Sequence, residues 1–134
     1  MIINGLRDML EEANATIETV TAEQALPLLG GEDTVFVDVR ETGELERDGS
    51  IPGAIHCPRG ILEFQLDPNS PMHNPVFSSN KRVMFFCASG GRSALAGLTA
   101  AQMGLERVAH MAGGFGAWRD VGGAIDAGTG EFKM

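Results

Sequence analysis

The sequence predicts an α/β domain with a central, mostly parallel sheet and helices on both faces. Short apolar runs typical of buried strands occur at residues 34–39, 83–86 and 108–111. Segments rich in helix-forming residues separate these runs, and strands that alternate with helices favour parallel pairing. In such sheets ligands bind outside the carboxyl ends of the strands, so a functional site is expected at that edge.

The elements before the central strand follow from local patterns. Thr21 and Gln24 match a capping box that begins a helix, and Gly30 and Gly31 are placed to end it. Three prolines and several polar residues predict a surface loop before the central strand. In chain order, we predict helices over 4–13, 21–29 and 61–66, strands over 34–39 and 54–57, and a loop over 67–80.

The second half repeats the strand-helix alternation. Residues 83–86 are fully apolar and predict a buried strand, and residues 93–103 (SALAGLTAAQM) predict a helix with Gly104 at its C-terminal end. A last short strand is expected over 108–111. A glycine-rich turn then leads into a final helix that contains Trp118.

The loop CASGGRS (87–93) joins the central strand to the helix that follows. Gly90 and Gly91 allow a tight turn with inward-pointing amides. The loop amides and the helix dipole would favour the thiolate of Cys87, and Arg92 adds a positive charge. The alternative is that Cys87 is only a small buried hydrophobic residue. The glycine pair and the arginine favour a reactive, anion-binding cysteine.

Length and charge exclude several classes of protein. A chain of 134 residues with 43% hydrophobic residues fits one globular domain. A net charge of −8 disfavours nucleic acid as a partner. No apolar run approaches the ~20 residues that span a bilayer, so no membrane association is expected. The acidic N-terminus does not resemble a signal peptide, and we expect a cytoplasmic protein with reduced thiols.

The remaining cysteine and the histidines have no metal-ligand spacing. Cys57, His56, His73 and His110 match neither the CxxC nor the HExxH pattern, so we expect no metal and assign no cofactor. Cys57 is expected to be a packed hydrophobic residue, with a resolving thiol as the alternative.

Four segments in order carry a family resemblance. They are VDVRETGEL (37–45), GSIPGAIHCP (49–58), VMFFCASGGRSALA (83–96) and GGFGAWRDVGGAI (113–125). Together, over residues 17–126, they resemble the single-domain rhodaneses, a family of sulfurtransferases. Residues 1–16 lie outside the resemblance as a helical extension that either caps the domain or forms a homodimer contact. Residues 17–134 are then the rhodanese-like domain.

The resemblance implies a doubly wound α/β fold and a persulfide on Cys87. The sulfur would come from thiosulfate or a small persulfide and pass to a thiol or to cyanide. Asp38 and Arg40 match a supporting Asp-x-Arg motif, with an ordinary strand-end ion pair as the alternative. Arg92 would attract the anionic donor or brace the loop, and Ser93 would cap the helix. The amides expected to stabilise the sulfur anion are those of Ala88, Ser89, Gly90, Gly91, Arg92 and Ser93.

Two features of the loop bear on substrate and reaction. Many rhodaneses have an arginine directly after the cysteine, and Ala88 in its place predicts weak thiosulfate binding. Four residues separate Cys87 from Arg92, whereas related phosphatases have one more, so phosphoester hydrolysis is the weaker alternative. A non-catalytic sulfur carrier or interaction module that serves one partner also remains open.

Overall fold

The computed structural model describes residues 1–127, in which five strands and six α-helices alternate along the chain. The strands are β1 (Glu18–Val20), β2 (Thr34–Asp38), β3 (Ile55–His56), β4 (Arg82–Phe86) and β5 (Val108–Met111). The helices are α1 (Leu6–Thr16), α2 (Ala22–Ala25), α3 (Thr42–Asp48), α4 (Leu62–Leu66), α5 (Gly91–Gln102) and α6 (Gly114–Asp120). Short 3₁₀ helices cover Leu26–Leu28, Arg59–Ile61 and Pro75–Ser78.

The strands form one parallel sheet in the order β1-β5-β4-β2-β3. The most apolar strand, β4, lies at the centre between β5 and β2. Every residue of β4 except Arg82 is buried. The predicted α/β class with a parallel sheet is therefore confirmed, and the loop that follows β4 begins at the middle of the sheet.

Two apolar clusters cover the two faces of the sheet. Side chains alternate along each strand, so Val83 and Phe85 face one cluster while Met84 and Phe86 face the other. The first cluster includes residues of α4 and α5, and the second includes residues of α2 and α6. Helices thus pack on both faces, as the alternation of elements predicts.

Helix α1 packs against α5, beside the loop that follows β4. Ala13 of α1 is fully buried against Ala94 and Leu98 of α5. The contact between the N-terminal segment and α5 is close, because a Cβ atom at Gly97 would collide with the Ile17 side chain. The N-terminal segment therefore contributes to the surroundings of the loop.

The structure differs from the predicted elements in several places. Helix α1 covers Leu6–Thr16 instead of 4–13, α5 begins at Gly91 instead of 93, and the 3₁₀ helix Pro75–Ser78 lies within the predicted loop 67–80. Strand β1 and helix α3 are additional elements. Helix α2 ends at Ala25 because Pro27 converts the predicted continuation into a 3₁₀ turn. The capping box of Thr21 and Gln24 is present, with reciprocal hydrogen bonds of 3.1 and 3.0 Å. Within residues 1–127, no helix has the length and apolar character needed to cross a membrane.

Candidate active site

Cys87 follows the last residue of β4 and lies at the carboxyl edge of the sheet. The central position of β4 fixes its backbone, and the side chain is only 1% exposed. The loop curls over the sulfur because Gly90 adopts a φ of 115°, which only glycine tolerates without strain.

Two backbone amides point at the thiol sulfur. The amide nitrogens of Gly90 and Ser93 lie 3.1 and 3.4 Å from Cys87 Sγ. The Ser93 hydroxyl oxygen lies 3.6 Å from the same sulfur. The amide of Ser89 makes a weaker contact that also lowers the pKa of the thiol. In the described loop 87–93, the amides of the other predicted residues, Ala88, Gly91 and Arg92, make no hydrogen bond to Sγ.

These contacts act against the effect of burial on the Cys87 thiol. Burial alone would raise its pKa, because a thiolate is poorly solvated in an apolar environment. The hydrogen bond between the sulfur and the Ser93 side chain, and those from the amides of Ser93, Gly90 and Ser89, lower it, and together they prevail. The net pKa lies below the ordinary value, as expected for a thiol that serves as a nucleophile.

The prediction that Ser93 caps helix α5 is wrong. The N-cap residue is Gly90, whose left-handed conformation starts the helix at Gly91. Ser93 is therefore the third helical residue and is fully buried. Its hydroxyl turns inward, 3.1 Å from the Gly90 carbonyl oxygen and 3.2 Å from His110 Nδ1.

The N-terminus of α6 holds the loop from the other side. The amides of Phe115 and Gly116 donate to the carbonyl oxygens of Cys87 and Ala88 at 2.7 and 3.1 Å. A side chain at Gly114 would collide with the same backbone, because its Cβ would overlap the Cys87 carbonyl oxygen. This close approach fixes the orientation of the peptide groups next to the thiol.

Arg92 is held in a bidentate ion pair with Glu44 of α3. Its two terminal nitrogens lie 2.8 and 2.9 Å from the Glu44 carboxylate oxygens. The hydrogen bonds from Arg92 are the main reason that the pKa of Glu44 is lowered to about 2. Neutralisation by Glu44 reduces the positive charge that the loop presents to an anionic donor. The arrangement favours the bracing role over donor attraction.

Asp38 and Arg40 form a second network at the end of β2. The Arg40 guanidinium lies 2.8 Å from the Asp38 carboxylate, and both side chains are 1% exposed. Ser50 donates to the same carboxylate at 2.7 Å, and Arg40 also donates to the Gly49 carbonyl at 2.7 Å. The guanidinium stacks 4.4 Å from the centre of the Phe115 ring. This buried pair is placed to support the loop through Phe115 rather than to contact a substrate.

Cys57 lies in the apolar core and makes no comparable contacts. It is fully buried, and burial raises the pKa of its thiol to about 11. Both cysteines are free thiols. The packing agrees with the expectation of a hydrophobic role for Cys57.

His110 and Asn14 are polar residues near the loop that the sequence analysis does not assign to the site. His110 is 4% exposed on β5, and its Nε2 lies 3.0 Å from Asn14 Oδ1 of α1. Together with the loop they line an open groove of about 470 Å³. A sequence signal exists, because a histidine inside an otherwise apolar strand requires a buried hydrogen-bond partner. The partner is 96 residues away and cannot be found from spacing.

Among residues 1–127, no group of three or more histidine, cysteine, aspartate or glutamate side chains is arranged to hold a metal ion. The polar side chains around Cys87 have partners in the loop, in α1, in α3 or in β5.

Several known proteins are similar to this chain in sequence. A model of the rhodanese-like domain matches residues 21–120. Thiosulfate sulfurtransferase/rhodanese-like domain-containing protein 3 of Mus musculus is 31% identical, over 87% of this chain and 79% of its own length. A sulfurtransferase of Allochromatium vinosum is 31% identical, over 65% of this chain and 73% of its own length.

Among solved structures, a protein of unknown function from Rhodopseudomonas palustris, described as a possible tyrosine phosphatase, superimposes with a TM-score of 0.91. It is 53% identical, and the match covers 94% of this chain and 97% of that one. The family model covers most of the chain, and the sheet order places the cysteine loop at the edge where ligands bind in such folds. The chain belongs to the rhodanese-like domain family.

Proposed function

We propose that this protein is a sulfurtransferase that carries sulfane sulfur as a persulfide on Cys87. The observation that carries the proposal is the buried thiol whose sulfur accepts hydrogen bonds from two amides of the loop. Such donors stabilise a sulfur anion in place before the reaction begins. Relatives named as sulfurtransferases support the same chemistry.

The reaction has two displacement steps at sulfur. The Cys87 thiolate attacks the outer sulfur of the donor, a new S–S bond forms, and the donor's S–S bond breaks. Sulfite leaves if the donor is thiosulfate, and a thiolate leaves if the donor is a persulfide. A thiol or cyanide then attacks the terminal sulfur, and Cys87 departs as a thiolate. Neither displacement requires a cofactor. The amides of Gly90 and Ser93 stabilise the sulfur anion of Cys87 before the first displacement and after the second.

The charge around the loop favours a persulfide over thiosulfate as the donor. Ala88 offers no positive charge beside the sulfur, and Arg92 is already neutralised by Glu44. A doubly charged donor would therefore gain little electrostatic attraction in return for leaving water. A donor of lower charge loses less solvation free energy when it enters the site. We infer a protein or low-molecular-weight persulfide as the physiological donor.

An enzyme and a sulfur carrier share the first displacement and differ in the second. An open groove of about 470 Å³ is lined by Ser89, Gly90 and Gly91 of the loop, so a small acceptor can approach the loop from this side, although Cys87 itself does not line the groove. This favours turnover with small thiols, so we propose an enzyme rather than a carrier for one dedicated partner. Turnover with several small acceptors supports the enzyme, and release of sulfur only to a protein acceptor supports the carrier.

A phosphatase is the second candidate, because the Rhodopseudomonas palustris relative is described as a possible tyrosine phosphatase. Two observations rank it lower for this chain. The guanidinium of Arg92, which would have to bind a phosphate, is occupied by Glu44 at 2.8 and 2.9 Å. The loop 87–93 also contains no aspartic acid that could protonate a leaving group.

The test is intact-protein mass spectrometry after incubation with thiosulfate or glutathione persulfide. We expect the wild-type chain to gain one sulfur atom, more completely from the persulfide, and to lose it to cyanide. Cys87→Ser should gain none, and Cys57→Ser is the matched control that should still gain one. Failure of the wild type with both donors, together with hydrolysis of p-nitrophenyl phosphate, would replace the proposal with the phosphatase.

The setting of the reaction is also a proposal. Two free thiols suit a reducing compartment, and we place the protein in the cytoplasm. A homodimer through the N-terminal segment is compatible with the exposed side chains of Ile2, Ile3 and Leu6. Light scattering of the purified chain would decide between monomer and dimer.

A further inference from the structure

We propose that Ser93, His110 and Asn14 form a proton relay. Ser93 passes the proton of the Cys87 thiol to His110, and Asn14 stabilises the positive charge that then lies on the imidazole. The role of the relay in sulfur transfer rests on the proposed function. Its outermost member, Asn14, belongs to α1 and lies outside residues 21–120, which match the family model. The N-terminal helix would thus complete the active site.

The relay is a continuous chain of polar contacts. Cys87 Sγ lies 3.6 Å from Ser93 Oγ, which lies 3.2 Å from His110 Nδ1. The other ring nitrogen, Nε2, lies 3.0 Å from Asn14 Oδ1. All members except Asn14 are buried, so this chain leads from the thiol to the solvent-exposed groove.

The partners of Asn14 assign the histidine tautomer. The Thr19 hydroxyl donates to Asn14 Oδ1 at 3.3 Å, which marks this atom as an acceptor. His110 therefore donates to it from Nε2, and Nδ1 keeps a lone pair that faces the Ser93 hydroxyl. In this tautomer a proton can enter the ring at Nδ1 while the Nε2 proton remains hydrogen-bonded to Asn14.

The transfer conserves protons and requires no other reactant. The Ser93 hydroxyl also lies 3.1 Å from the Gly90 carbonyl oxygen, so the step requires that it turns from this acceptor to His110 Nδ1. As the Cys87 proton moves to Ser93 Oγ, the Ser93 proton then moves to His110 Nδ1. The products are a thiolate and an imidazolium. The two hydrogen bonds between the ring and the sulfur, from Nδ1 to Ser93 Oγ and from Ser93 Oγ to Sγ, then point toward the negative sulfur, while Nε2 still donates to Asn14. The thiolate attacks the donor, and the imidazolium loses its proton to water in the groove. Burial lowers the pKa of His110, which favours this release but works against the first uptake of the proton. The acceptor at position 14 is therefore needed to stabilise the imidazolium while it exists.

His110 has neutral neighbours on every element packed against it. They are Asn14 of α1, Thr19 of β1, Phe85 of β4, and Ser93 and Ala94 of α5. The charged group that acts on Cys87 is Arg92, which is paired with Glu44. A new charge at position 14 would therefore change the basicity of His110 without competing with an existing ion pair.

The experiment is the pH profile of Cys87 alkylation by iodoacetamide, read by peptide mass spectrometry on the full chain. Asn14→Ala removes the acceptor of the Nε2 proton and should raise the alkylation midpoint. Asn14→Asp places a carboxylate there and should lower it. We expect shifts of about 0.5 pH unit in each direction, or roughly threefold in thiolate fraction near neutral pH. Asn69→Asp adds the same charge in an exposed loop and is the matched control.

The second arm repeats the Asn14 substitutions with His110→Gln. If the effect passes through the imidazole, Asn14→Asp no longer lowers the midpoint in this background. Equal shifts in both backgrounds, or shifts of the same sign for Asn14→Ala and Asn14→Asp, would overturn the relay. Alkylation requires no sulfur donor, so its outcome is separate from the sulfur-loading test of the proposed function.

Discussion

Cys57 and Cys87 share almost complete burial and differ in their surroundings. Cys57 directly follows β3 and is 0% exposed, and Cys87 directly follows β4 and is 1% exposed. The pKa of Cys57 is raised to about 11 by burial, whereas that of Cys87 is lowered. The difference comes from the polar groups of the loop, since amides and the Ser93 side chain surround the Cys87 sulfur, whereas the Cys57 sulfur makes no hydrogen bond within residues 1–127. Burial alone makes a cysteine inert, and oriented donors make a buried cysteine reactive.

The largest expected effect is the difference in reactivity between the two thiols. A pKa of about 11 leaves about one Cys57 in 10⁴ as thiolate at pH 7. An ordinary thiol, with a pKa of about 8.5, has about one molecule in 30 as thiolate at pH 7. Because the pKa of Cys87 is lowered, Cys87 should be alkylated at least about a hundredfold faster than Cys57. Because its pKa is lowered, the Cys87 rate should level off at a lower pH than that of a free thiol. Comparable rates for the two cysteines in native protein would contradict the role of the donors.

A smaller effect on alkylation is expected from Gly114→Ala, which should change the reactivity of Cys87 but not that of Cys57. The new methyl group would push against the carbonyl oxygen of Cys87 and weaken the orientation of the loop. Loss of one amide hydrogen bond to the thiolate should slow Cys87 alkylation about tenfold. Gly122→Ala is the control, because Gly122 also has a positive φ of 83° but open space at its Cβ. Equal slowing in both variants would assign the effect to general strain.

The smallest effect is expected from substitution of Cys57, which should change the free energy of unfolding rather than the reactivity of Cys87. Cys57→Ser places a hydroxyl in the apolar core and should lower the free energy of unfolding by about 1–3 kcal/mol. Cys57→Ala removes only the sulfur and should cost about 1 kcal/mol. Urea denaturation measures both, and sulfur loading of Cys87 should be unchanged. Failure of either variant to release sulfur from Cys87 would instead identify Cys57 as a resolving thiol.

The central elements could be predicted because their patterns are local. Strands β2, β4 and β5 are short apolar runs, and the glycines and Arg92 of the loop stand next to Cys87 in the sequence. Strand β1 was not predicted, because two of its three residues are exposed. Helix α3 was not predicted, because Glu41 takes the capping position usually filled by serine or threonine.

The polar contacts around the site could not be predicted because they join distant segments. Glu44 and Arg92 are 48 residues apart, and Asn14 and His110 are 96 residues apart. These residues are brought together by the order of the strands in the sheet, which the separation of residues along the sequence does not reveal. The inward orientation of the Ser93 side chain could not be predicted for another reason. The sequence favours Ser93 as the N-cap of α5, but the N-cap is Gly90, three residues earlier.

The central position of β4 has a consequence for amide hydrogen exchange. The cysteine loop continues directly from a strand that is bonded on both sides, and α6 holds it by two further hydrogen bonds. Amides in such a segment exchange mainly through global opening of the protein rather than through local fluctuations. Loss of function on heating or in denaturant should therefore coincide with cooperative unfolding, and sulfur transfer becomes a readout of the folded fraction.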